Sequence, residues 1–106
     1  METQTLSRIQ SLAQLYQAGY RSSAVDATIE KLVALERARL EQEIAELQRR
    51  LHCFEEKYRL SSEEFHRLFQ AGELGDDADF FEWSAFQKMW LAASDHLKSL
   101  SYEAAG

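Results

Sequence analysis

In 40-LEQEIAELQRRLHCFEEKYRLSSEEF-65, the residues Leu40, Ile44, Leu47, Leu51, Phe54 and Tyr58 alternate steps of four and three. That spacing keeps one apolar seam on one face of a helix and is the heptad pattern of packed helices. The seam then meets Leu60-Ser61-Ser62-Glu63-Glu64-Phe65, a start signal for a new helix. Ser61 is the expected N-cap, Glu64 its reciprocal partner, and Leu60 with Phe65 the hydrophobic staple. A long helix, a tight turn and a short helix are therefore written into 26 consecutive residues.

Upstream, no proline interrupts the chain anywhere, so the long helix extends back to Ser22 or Ser23. Ser23 followed by Asp26 resembles a capping box. From there to about Arg59 is roughly 36 residues, or ~54 Å of helix. The seam is broken at position 37, which is Arg37, and the apolar residues before it shift to Val25, Ile29, Leu32, Val33 and Leu35. The two halves of this helix should therefore face different neighbours. Before it, Leu6, Ile9, Ala13 and Tyr16, widened by Leu12 and Leu15, predict a first helix from about Thr3 to Ala18. Gly19 supplies a left-handed stop, with Tyr20 folding back on Leu15.

Downstream, Phe65, Leu68 and Phe69 form the inner face of the short third helix, which Gly72 ends. A fourth helix begins between Asp76 and Asp79 and runs to about Tyr102. Its seam is Trp83, Phe86, Trp90, Ala93, Leu97 and Leu100. The short connection requires it to pack antiparallel on the second half of helix 2. The expected fold is all-α: four helices, helix 2 packed antiparallel on helix 4, in an elongated helical bundle forming a single domain over 1–106. Residues 1–36 are the expected dimerisation part, since a ~54 Å helix is long for one small globule. Residues 37–102 are the expected hairpin, and the tail SYEAAG is expected to fray.

Composition narrows the class. Hydrophobic content of 45% and aromatic content of 11% describe a folded chain. The net charge of -6 lies entirely in residues 61–106, which carry nine acids and three bases. That half repels phosphate, so direct nucleic-acid binding is not expected, whereas a basic protein would be attracted. One cysteine, Cys53, excludes an internal disulfide framework. The start METQTLSRIQSLAQ lacks a basic region followed by an apolar core, and no apolar run approaches membrane-spanning length. A cytoplasmic protein without membrane contact is expected.

The chemistry-bearing stretch is 71-AGELGDDADFFEW-83, with five acids, two glycines and three aromatics. It fails as an EF-hand loop: counting from Asp77 puts Phe81 at the fifth position, Glu82 at the sixth and Lys88 at the twelfth. The pairs 43-EIAE-46 and 73-ELGD-76 superficially match the two carboxylate pairs of all-helical Mg²⁺ nucleotide pyrophosphohydrolases, but Gly72 and Gly75 place the second pair in a turn. His52, Cys53, His66 and His96 have no zinc-ligand spacing. No nucleophile elbow and no phosphate-cradling glycine loop is present. Catalytic residues, metals and cofactors are not expected.

Helix capping explains part of the run: Asp79 with Glu82 reads as a capping box, and Asp76 and Asp77 suit the positive helix end. It does not explain Glu73, or the adjacent pair Phe80 and Phe81, which cannot both face one core. Aromatics beside charges of one sign describe a protein-binding surface. The candidate partner-binding residues are Glu73, Asp76, Asp77, Asp79, Phe80, Phe81 and Glu82.

The runs 55-EEKYRLSSEEF-65 and 71-AGELGDDADFFEW-83 also carry a resemblance. They look like an E-K-Y-x-M-S-S-E-E-F … A-G-E-L-G-D-D-x-D-F-x-E-W signature of small all-helical prokaryotic proteins, mostly uncharacterised and frequent in cyanobacteria. Members often lie beside TumE-type toxins and are considered antitoxin-like. The likeness covers roughly residues 19–90, includes 19-GYRSSAVDATIEKLVALE-36, and has Leu60 where methionine is common. It implies a non-enzymatic protein that neutralises a basic toxin. Asp76, Asp77, Asp79, Phe80, Glu82 and Trp83 map onto its motif. No ribbon-helix-helix strand or basic recognition helix is present, so operator binding is not supported. A structural coiled-coil adaptor and the Mg²⁺ pyrophosphohydrolase are the competing readings.

Overall fold

A computed structural model of the chain describes residues 2–101. They form four α-helices: α1 (Glu2–Gln17), α2 (Ser23–Tyr58), α3 (Ser62–Gln70) and α4 (Ala78–Ser101), with no strand among the described residues. The expected end of the last helix at Tyr102, and the tail after it, lie outside the described residues. The chain divides into two compact units, 1–34 and 35–106, and the boundary falls within α2.

In the first unit, α1 stops in a Schellman turn. Gly19 has φ +101°, the Tyr20 N–H donates to the Leu15 carbonyl at 3.0 Å, and the Gly19 N–H donates to Tyr16 at 3.0 Å. Tyr20 meets Tyr16 edge-on at 6.2 Å. The α2 N-cap is Ser22, not Ser23: its hydroxyl accepts from the Val25 N–H at 3.4 Å. Asp26 does not close a capping box. Its carboxylate accepts from the Tyr16 hydroxyl at 2.6 Å, which raises the Tyr16 pKa.

In the second unit, both seams are realised. Leu40, Leu47 and Leu51 are buried on α2, Trp83 and Ala93 on α4, and the other seam positions are half-buried. Tyr58 meets Phe80 at 5.2 Å, Phe54 meets Phe86 at 6.3 Å, and Arg37 reaches Leu100. Positions rise on α4 as they fall on α2, so the two helices are antiparallel. Arg37 replaces an apolar seam residue because its guanidinium donates to the Leu100 carbonyl at 3.1 Å, where a cation suits a helix C-terminus.

The core is aromatic. Phe65 and Trp83 have no exposed surface, and their rings stack at 3.9 Å with a 4° tilt. The Trp83 indole N–H donates to the Ser62 hydroxyl at 2.9 Å, so its polar atom is satisfied inside. Phe54, Tyr58, Leu60, Phe69, Leu74, Phe80, Phe86 and Trp90 surround this pair. α2 ends at Tyr58, and Arg59 just beyond it is held at φ 55° while the Leu60 N–H donates to the Glu55 carbonyl.

α3 starts as the sequence predicts, with Ser61 accepting from the Glu64 N–H at 3.1 Å. The reciprocal half of the box differs. The carboxylate from the preceding helix, Glu55, accepts from the Ser62 N–H at 3.0 Å, while Glu64 pairs with Arg67 at 2.6 Å. That ion pair holds the Glu64 carboxyl below its ordinary range.

Candidate functional site

The acidic run is positioned by two turns. α3 ends in a second Schellman turn, with Gly72 at φ +73°, its N–H on Phe69 and the Glu73 N–H on Leu68. The chain then reaches Asp77, whose carboxylate accepts from the Asp79 N–H at 2.9 Å. The N-cap of α4 is therefore Asp77, and the expected Asp79–Glu82 box does not form.

Asp79 has another task. One of its carboxylate oxygens accepts from Lys57 Nζ and from the Tyr58 hydroxyl, both at 2.6 Å. The Lys57 hydrogen bond, followed by that of Tyr58, holds Asp79 below the usual carboxylate range. The same carboxylate raises both Lys57 and Tyr58. This latch fastens the last turn of α2 to the first turn of α4. A depressed carboxylate contributes stability that is present above its unfolded pKa, ~3.9, and lost as pH falls through the folded value. The raised Lys57 contributes below its own unfolded pKa, ~10.4, and that contribution is lost as pH rises through the folded value. Asp79→Asn should thus make the acid limb of a stability–pH profile shallower than in the wild-type protein. Thermal melts between neutral and acid pH would show it, and parallel acid limbs would exclude the latch.

Phe80 turns inward, half-buried between Tyr58 at 5.2 Å and Phe65 at 5.9 Å. Phe81 turns outward: it is 57% exposed and touches Phe69 edge-on at 5.5 Å. The adjacent pair therefore splits, one ring to the core and one to solvent. Glu73, Asp76 and Glu82 are exposed, and Asp76 and Glu82 make no hydrogen bond or ion pair among the described residues. Arg67, at the end of α3, lies within electrostatic reach of Glu73. Of the seven candidates, Asp77, Asp79 and Phe80 hold the fold, while Glu73, Asp76, Phe81 and Glu82 are exposed to solvent.

The competing chemistry finds no support in this geometry. Glu46 is engaged by Arg49 and Arg50, and 73-ELGD-76 lies in the turn rather than on a helix face. His52 faces Glu55 and Glu56 at 3.7 and 3.5 Å, and Cys53 is exposed. No group of three or more His, Cys, Asp or Glu side chains among the described residues could hold a metal ion. A groove of about 1050 Å³ lies elsewhere, lined by Leu51, Ser62, Gln87, Trp90 and Leu91 among others, with none of the acidic-run residues. Gln87 Oε1 and Trp90 Nε1 are buried without partners there. Its lining includes His52, Cys53 and Ser61, and no hydrogen bond among the described residues joins a nucleophile to a base there. No helix among the described residues is long and apolar enough to cross a membrane.

Comparison with known proteins returns no matching family model, no matching curated protein and no matching solved structure. The likeness to antitoxin-like proteins rests on the sequence signature alone. Sequence reasoning missed Ser62 as the indole acceptor and Lys57 as the Asp79 partner. The Ser61-Ser62 doublet was a visible signal for the first; nothing in the spacing marked the second.

Proposed function

We propose that this chain is a non-enzymatic, antitoxin-like protein-binding module that acts in the cytoplasm. It captures a basic protein, a toxin in the sense of the resembled family, on the surface formed by Glu73, Asp76, Phe81 and Glu82. One observation carries the reading. Within 73–82, Asp77, Asp79 and Phe80 have structural work, whereas Asp76, Phe81 and Glu82 remain in solvent, and Phe81 keeps 57% of its surface there. An exposed ring amid carboxylates offers an apolar anchor with charges that steer a basic partner to it. The excess of nine acids over three bases in 61–106 favours the same partner and disfavours phosphate-bearing ligands. The working unit in this reading is a homodimer.

The test is affinity capture of the tagged protein from its native cells, with stoichiometry read by mass spectrometry. One small basic protein at near-equal amount, whose expression alone arrests growth and whose effect this chain relieves, is the expected result. A basic partner without effect on growth would favour the adaptor reading instead. Mg²⁺-dependent release of pyrophosphate, lost in Glu43→Gln, would replace both by the hydrolase.

A further inference from the structure

The first unit cannot account for its own apolar surface. From Thr3 to Leu15 every residue of α1 is exposed, and only Tyr16 is half-buried. Leu6 and Ile9 are 55% exposed, and Leu12, Leu15 and Tyr20 are each more than a third exposed. On the first half of α2, Ile29 and Leu32 are 42% and 51% exposed. A 16-residue helix that leaves its apolar stripe exposed is marginal in water, because most helix stability in proteins comes from covering the apolar face. Yet the corner that joins α1 to α2 is built with care. Tyr16 is bonded to Asp26 and to the Ser22 carbonyl, and the Arg21 guanidinium lies over its ring at 5.0 Å.

We infer that α1 and the first half of α2 are covered by the same face of a second copy of this chain, and that α1 is a stable helix only in that dimer. The inference rests on the dimeric unit proposed above and adds the surface that closes it. Two quantities favour a second copy over a foreign partner. Half of a large side chain is on the order of 80–100 Å². Seven such residues therefore present roughly 600 Å², most of the ~800 Å² per partner of a standard interface and as much as monomers leave open. Charge points the same way. Residues 1–34 carry three acids and three bases, so two copies meet there without repulsion, whereas the whole net charge of -6 lies in the remainder. A neutral apolar face has no means of selecting the basic partner that the acidic corner would draw.

Sedimentation equilibrium of the full chain, with far-UV circular dichroism on the same dilution series, tests this. Wild-type protein should show twice the 12.3 kDa chain mass at roughly 100 µM. On dilution it should dissociate and lose the ellipticity of about sixteen helical residues together with the mass. Ile9→Asp with Leu12→Asp should be a monomer at every concentration, with that helicity already lost and the unfolding midpoint of the remainder retained. A wild-type monomer at the highest concentration would overturn both the surface and the dimeric unit. A double variant that stays dimeric would overturn the surface alone. Full wild-type helicity in a dissociated monomer would overturn the coupling of α1 to assembly.

Discussion

Trp83→Ala should lower the unfolding free energy by about 3–5 kcal/mol, the cost of removing a large aromatic side chain from a packed interior. The indole has no exposed surface, stacks on Phe65 at 3.9 Å, and lies near Phe54 and Tyr58 at 5.5 and 5.9 Å. One fully buried ring thus joins α2, α3 and α4, with the half-buried Phe80 beside it. Few other contacts compensate, since the buried core cluster consists of Leu51, Phe65 and Trp83, and of these only the two rings are fully buried. Two milder changes separate packing from hydrogen bonding. Trp83→Phe keeps most of the ring and loses the bond to Ser62, so it should cost less than half as much as the alanine variant. Ser62→Ala leaves the indole N–H buried without a partner, which costs about 1–3 kcal/mol. Urea unfolding followed by circular dichroism measures all three at constant m-value. A loss under about 1.5 kcal/mol for Trp83→Ala would mean that the three helices are not joined through this ring.

The architecture was legible in the sequence where periodicity and punctuation agreed. The two four-three seams, the Ser61 cap and the glycines at 19 and 72 placed all four helices, because each feature is local and satisfies backbone groups that have few other options. What was not legible was the allocation of side chains among equally plausible roles. Asp77 and Asp79 are both good caps by type, and only the third dimension shows that Lys57 and Tyr58 claim Asp79. Glu64 has the right offset to complete its box, but Arg67 is three residues away on the same face and Glu55 arrives from the preceding helix. Arg37 looked like a break in a seam and is a cap for the far end of α4. Apart from the Glu64–Arg67 pair within α3, each of these turns on a contact made at a helix junction or across helices, which residue spacing along one element does not contain. The candidate surface followed the same rule: the sequence showed that Phe80 and Phe81 must diverge, and the fold decides which one faces water.

The second large effect concerns that surface. Asp76→Lys combined with Phe81→Ala should weaken capture of the basic partner at least about hundredfold, since a truncated aromatic hot spot alone typically costs ~2 kcal/mol or more. Helicity and unfolding midpoint should stay within the small range expected of surface changes. The pair is chosen for what it leaves intact. Asp76 makes no bond among the described residues, whereas Asp77 caps α4 and Asp79 closes the latch, so altering either of the latter would confuse unfolding with lost recognition. Phe81 shares only an edge contact with Phe69. Glu41→Lys is the control, because it changes net charge equally from an exposed position on α2, outside the acidic run. If long-range attraction alone drew the partner, the double variant and the control would weaken alike, and both effects would vanish in high salt. Local recognition predicts that the control loses little, mainly in association rate, while the double variant loses affinity that salt does not restore. Titration calorimetry with the purified partner distinguishes the two, and equal affinities for control and double variant would remove the acidic corner from consideration as the binding site.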